Sequence, residues 1–187
     1  HFKFCLDNKS SAGLYGYGIL SLRVNRWCRK WSEPGKPYVP MNEIPYLSVT
    51  TTSVHDSTTV RQWWQEDRDG SSLFVRTNPW AFGVDGFDQN RINEIANSPF
   101  TPEIAECYLK GVATSNSAWI INPLQDFMAM EKKYWLADSN AERINVPGSV
   151  NDSLRRRFRR SPAVSSARHE KKWNSFTARK PLVQKMV

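Results

Sequence analysis

A histidine and an aspartate stand side by side at residues 55 and 56, directly after a β-branched run and directly before a helical pattern. An imidazole that can give or take a hydrogen bond, next to a carboxylate that accepts several, can orient a polar ligand. Parallel α/β proteins collect such groups at the C-terminal ends of their strands. On spacing alone, His55 and Asp56 read more readily as a surface histidine beside a helix-capping aspartate. Gln125 and Asp126 follow the break at Pro123, where a second strand end would aim polar groups into the same mouth, as ligand contacts or as a hydrogen-bonded brace. Arg143 and Asn145 read as anchors of a closing loop through charge-assisted bonds. Cys5, Cys28 and Cys107 are widely spaced, form no CxxC pair and have no histidine at metal-ligand spacing, so neither metal nor cofactor is expected and the chain reads as reduced and cytoplasmic. GLYGYG (13–18) lacks the lysine and hydroxyl residue of a phosphate loop and precedes a strand instead of following one.

These groups need elements to hold them. GILSLRV (18–24), with Leu20, Leu22 and Val24 alternating, predicts a strand, and YLSVTTT (46–52) predicts another that ends just before His55. Between them, WSEPGKPYVPMNEIP (31–45) carries four prolines and a glycine and reads as a loop. STTVRQWWQED (57–67) predicts a helix capped by Asp56 or Ser57, with Val60, Trp63 and Trp64 on one apolar face that packs on the sheet. From 69 to 98 the DGSS, NPW and FGVDGF segments read as turns, with a short helix over 89–97. TPEIAECYLKGVA (101–113) is the clearest helix, with Thr101 as cap and Pro102 in the first turn. SAWIINPLQDFMAM (117–130) reads as strand, proline break, then turn or short helix. This alternation of strand and helix is that of a parallel α/β sheet.

The chain has 187 residues, enough for one core and too few for a whole (β/α)8 barrel of roughly 250 residues. No apolar run approaches the length of a membrane span, so no membrane partner is expected. The net charge of +8 would suggest a polyanion partner, but the charge is local. Residues 151–187 hold eleven Lys plus Arg against Asp152 and Glu170, whereas the first 150 carry 15 basic and 16 acidic side chains. That near-neutral part argues against a specific nucleic-acid partner, which would need a basic face on the folded region, and leaves nucleic-acid binding through the basic tail as a lesser alternative. The tail, His169 included, reads as disordered or loosely helical.

TTTSVHDSTTVRQWW (50–64), WIINPLQDF (119–127) and ERINVPGS (142–149) occur in the order of three motifs of the amylomaltase or disproportionating-enzyme family of 4-α-glucanotransferases, glycoside hydrolase family 77. GILSLRVNRW (18–27) and IPYLSV (44–49) also resemble that family, in particular the branch of the plant cytosolic enzyme and its bacterial relatives. The resemblance covers about 18–150, flanked by a divergent segment at 1–17 and the basic tail from 151. It implies a partial (β/α)8 TIM barrel, approximately strands six to eight with their helices. It also implies transfer of α-1,4-glucan segments to the 4-hydroxyl of an acceptor glucose or glucan by a retaining double displacement.

In that scheme Asp56 is the carboxylate that stabilises the oxocarbenium-like transition state, and His55 donates a neighbouring hydrogen bond. Gln125 and Asp126 contact substrate, and Trp80, with Phe82, is placed to stack on sugar faces. The family's general acid/base lies in a Glu-Asp-Leu-Gly motif before the first of these strands, and its nucleophile lies further upstream. HFKFCLDNKSSAGLYG (1–16) holds no such glutamate, so both groups are expected outside the chain. After PGSV the sequence LRRRFRR departs from the family pattern. The chain alone is therefore expected to be inactive, an alternative being a carbohydrate-binding or inert fragment.

Overall fold

The computed structural model describes residues 16–146; the divergent first segment and the basic tail lie outside the described residues. Three strands, β1 (Ser21–Val24), β2 (Ser48–Thr51) and β3 (Trp119–Ile120), form one parallel sheet in the order β1-β2-β3. All three lie where the apolar and β-branched runs predict them. The pairing of Leu22 with Val49 and of Val49 with Trp119 sets those side chains on one face of the sheet. Arg23, Thr50 and Ile120 are aligned on the other, and Ile120 packs against the helical core. Ser48 and Thr50 are fully buried there, and Ser48 Oγ donates to Ser117 Oγ at 2.8 Å, so the small hydroxyls of this face satisfy one another.

Five complete helices lie among the described residues, four between β2 and β3 and one after β3: α1 (Val60–Glu66), α2 (Arg68–Thr77), α3 (Gln89–Asn97), α4 (Pro102–Ala113) and α5 (Leu124–Met128). Thr101 caps α4 by accepting from Ile104 N at 3.3 Å, with Pro102 in the first turn as the sequence predicts. Helix α1 starts later than expected. Its cap is Thr59, which accepts from Gln62 N at 3.2 Å, and neither Asp56 nor Ser57 plays that part. Ser57 is occupied in closing a turn over 54–57: its Oγ accepts from Val54 N at 3.0 Å and its N–H donates to Val54 O at 3.0 Å.

The DGSS segment, expected to be a turn, is the start of α2. Asp67 accepts from Gly70 N at 2.9 Å as its N-cap, and a Cβ on residue 70 would stand 2.1 Å from Asp67 Oδ2. A Cβ there would make the Asp67 carboxylate turn, and it is this cap that lets a segment of turn composition open a helix. The proline-rich segment has the expected irregular path, with a single 3-10 turn at Met41–Glu43, yet it supplies core. Tyr38, Met41 and Ile44 are 1% exposed or less, and Met41 N donates to Asn78 Oδ1 at 2.9 Å.

The sequence holds eight tryptophans, nine phenylalanines and six tyrosines, and several of them fill the core beneath these helices. Trp63 and Trp64, expected on the packing face of their helix, are 7% and 0% exposed. Trp63 meets Phe74 with ring centroids 5.9 Å apart, Phe74 stacks on Tyr108 at 4.8 Å, and Trp64 meets Phe100 at 6.1 Å. Helix α4 approaches the 3-10 turn Pro79–Phe82 so closely that a Cβ at Gly111 would lie 2.4 Å from Ala81 Cβ. Ala81 has no rotamer to change, so the backbone would have to move. Gly111→Ala is expected to lose about 1–3 kcal/mol through overpacking, more than the roughly 1 kcal/mol that a better helix former returns. Urea unfolding checks this, and a more stable alanine variant would contradict the close approach.

Candidate functional site

The parallel strands bring their C-terminal ends together, and a cavity of about 370 Å³ opens there. Its floor is the sheet face that carries Leu22, Val49 and Thr51. Ser53, Val54, His55 and Ser57 form one wall, Asn122, Pro123 and Gln125 another, and Arg143 and Ile144 the lip. A floor of apolar and small β-branched side chains with polar groups converging from the loops suits a ligand with both a hydrophobic face and hydroxyl edges.

The loop between β2 and α1 is fixed at both ends by Asp126. This carboxylate is 1% exposed; its Oδ2 accepts from Thr52 Oγ1 at 2.5 Å and Ser53 Oγ at 2.8 Å, and its Oδ1 accepts from Val60 N at 2.9 Å. Asn122 Oδ1 accepts from Thr52 N at 3.0 Å, tying the end of β3 to the same loop. Asp126 thus lies beneath the cavity wall and outside its lining, with both oxygens engaged by the protein.

Arg26, two residues past β1, is 3% exposed and reaches under the middle of that loop. Its Nη1 donates to Thr58 Oγ1 at 2.7 Å and Thr59 O at 3.5 Å, and its Nη2 to Ser57 Oγ at 2.9 Å and to Thr58 O. Burial pulls the guanidinium below its ordinary pKa, with Tyr108 and Asp126 opposing that shift. The indole of Trp63 lies 5.9 Å from its carbon.

His55 is on the cavity wall and exposed. Asp56, next on the same turn, is also exposed but is not part of the lining, and its carbonyl accepts from Arg143 Nη2 at 2.9 Å. That contact gives Arg143 the loop-anchoring bond expected of it. Gln125 lines the cavity at 7% exposure, and its Oε1 is buried without a hydrogen-bond partner among the described residues. Trp80, 37% exposed, sits on the 3-10 turn that packs against α4, away from the cavity lining. The structure therefore brings His55, Asp56, Gln125 and Arg143 to one mouth, sets Asp126 underneath, and leaves Trp80 apart.

Sequence reasoning missed Arg26, Asn122 and the buried pair of Arg61 with Glu142. Arg26 and Asn122 each stand two residues beyond a strand's end, the position that drew notice to other residues. Arg61 is 6% and Glu142 7% exposed; Arg61 Nη1 contacts Glu142 Oε1 and donates to Leu136 O at 3.0 Å, and its guanidinium lies 4.5 Å from the Trp135 ring centroid. Among the described residues no group of His, Cys, Asp and Glu could hold a metal ion, and no helix is long and apolar enough to cross a membrane.

A parallel α/β unit with its polar cavity at the strand ends defines the class of α/β proteins whose sites lie on the C-terminal face of the sheet. The chain belongs to the 4-α-glucanotransferase family, glycoside hydrolase family 77, whose model matches residues 8–162. It is 33% identical over 130 residues to the 4-α-glucanotransferase DPE2 of rice, Oryza sativa subsp. japonica, a match spanning 70% of this chain and 12% of the relative. The 4-α-glucanotransferase of Chlamydia muridarum is 27% identical over 169 residues, spanning 88% of this chain and 28% of the relative. An amylomaltase from Streptococcus agalactiae, solved in complex with acarbose, superposes with a TM-score of 0.55 at 16% identity, covering 92% of this chain and 29% of that one, and shares the fold. The chain thus spans between an eighth and three tenths of the length of these proteins.

Proposed function

We propose that the chain is the portion of a 4-α-glucanotransferase that supplies the transition-state carboxylate and part of the glucan cleft. The observation that carries this reading is the convergence of the His55–Asp56 turn and the unpartnered Gln125 Oε1 on one cavity at the strand ends, in a chain of this family. A buried amide oxygen without a partner is costly unless a ligand donates to it, and sugar hydroxyls are suitable donors. His55 and Gln125 bind hydroxyls of an α-1,4-glucan or maltooligosaccharide, and Asp56 favours positive charge at the reacting ring. The nucleophile and the acid/base come from strands outside the chain, and no cofactor takes part.

The three strands act as about the sixth to eighth of a (β/α)8 barrel. In support, both β1 and β3 are edge strands among the described residues, and Trp119 and Ile121, each 62% exposed, extend an apolar sheet face that a closed barrel would cover. Asp56 stands beside the cavity on the His55 turn and no carboxylate forms part of the lining itself among the described residues, which favours binding without turnover for this chain by itself.

The test is a chimera in which the chain replaces the matched 28% of the Chlamydia muridarum relative. The chimera is expected to convert maltotriose to glucose and longer oligosaccharides, while the chain alone releases no glucose. A folded chimera without transfer, or glucose release by the chain alone, would sink the assignment.

A further inference from the structure

The His55–Asp56 turn is exposed and bears no core side chain, so its order must come from what grips it. Two guanidiniums from distant parts of the chain do so. Arg143 holds the carbonyl of Asp56 from outside at 2.9 Å, and the buried Arg26 holds Ser57, Thr58 and Thr59 from beneath. Ser57 Oγ is the shared joint. It accepts from Arg26 Nη2 at 2.9 Å and from Val54 N at 3.0 Å, closing the very turn whose tip is His55 and Asp56.

We propose that Arg26 is a positioning residue that sets His55 on the cavity wall and Asp56 beside it at the mouth by locking the turn at 54–57 from below. This rests on the reading that the turn faces a glucan. A guanidinium is suited to the task because its rigid fork serves several acceptors at once; an ammonium on a flexible stem would engage only some of them. The position of Arg26 at 3% exposure, against the indole of Trp63, keeps water from competing for those acceptors.

The test is hydrogen–deuterium exchange of the full chain, read at the amides of Val54 and Ser57, with and without maltotriose. Arg26→Met is expected to speed exchange at both amides about tenfold or more, as loss of one charge-assisted hydrogen bond would, while the amides of α1 keep their wild-type rates. Arg26→Lys should fall between. Maltotriose should slow the same amides in the wild type, and its affinity should drop about tenfold in Arg26→Met. Unchanged exchange at Val54 and Ser57 in a folded Arg26→Met chain overturns the proposal, as does faster exchange with undiminished maltotriose affinity. Should Arg26→Met fail to fold, Thr58→Val removes only the Oγ1 acceptor and should speed the two amides a few-fold; wild-type rates there would equally overturn it. If the wild type ignores maltotriose while the exchange effects hold, the glucan reading of the cavity fails and the grip of Arg26 on the turn stands.

Discussion

In a chimera that transfers glucan, Asp56→Asn is expected to lower kcat by at least about 10²-fold, the cost of losing one preorganised electrostatic group. KM should change far less, because the charge matters most when the sugar ring acquires positive character. The structure makes this substitution a clean one. Asp56 does not cap α1, a role taken by Thr59, and its fixed contact is a backbone carbonyl held by Arg143. Asparagine keeps that carbonyl and the shape of the side chain, so the turn survives and only the charge goes. Steady-state transfer from maltotriose, with circular dichroism on both proteins, is the measurement. Near-normal kcat in the folded variant would leave Asp56 as a turn residue and no more.

The parts of the fold that were legible in the sequence are those where local pattern and tertiary demand agree. The three strands, the helix capped by Thr101, and the packing of Trp63 and Trp64 are of this kind: period, cap and burial point the same way in each. The start of α1 departs from the local pattern because the Ser57 hydroxyl, a good cap, is spent on a turn gripped by the distant Arg26, and Asp56 stands in that same turn with its carbonyl held by Arg143. Helix α2 is not legible locally because Asp69 and Gly70, at its start, carry the composition of a turn while Asp67 supplies the cap.

The candidate site divides in the same way. His55 and Gln125 follow strand ends and line the cavity, so position along the chain sufficed. Asp126 is adjacent to Gln125, yet it is turned beneath the wall by three donors from 52–60. A pairing across more than sixty residues leaves no local trace. Trp80 is an aromatic in a turn-rich stretch, and its 3-10 turn is placed by α4, a contact that composition does not encode.

Glu142→Ala is expected to destabilise the chain by about 3–5 kcal/mol, because it strands the guanidinium of Arg61 in a site that is 6% exposed. The carboxylate serves two donors, Arg61 Nη1 and Leu136 N, the latter at 2.9 Å, so its loss also frees the chain around 136. Arg61 lies on α1 and Glu142 immediately precedes Arg143, so the pair couples the helix after the His55–Asp56 turn to the residue that holds that turn from outside. The penalty comes from the orphaned charge and not from the pair's intrinsic worth. Arg61→Met combined with Glu142→Leu should therefore recover most of the stability, since two packed apolar side chains avoid the desolvation cost. Urea unfolding of the wild type, the single variant and the double variant distinguishes the cases. A single variant within about 1 kcal/mol of wild type would mean that water reaches Arg61 once Glu142 is gone. A double variant as unstable as the single one would mean that the two donated bonds, and not the buried charge, hold this corner together.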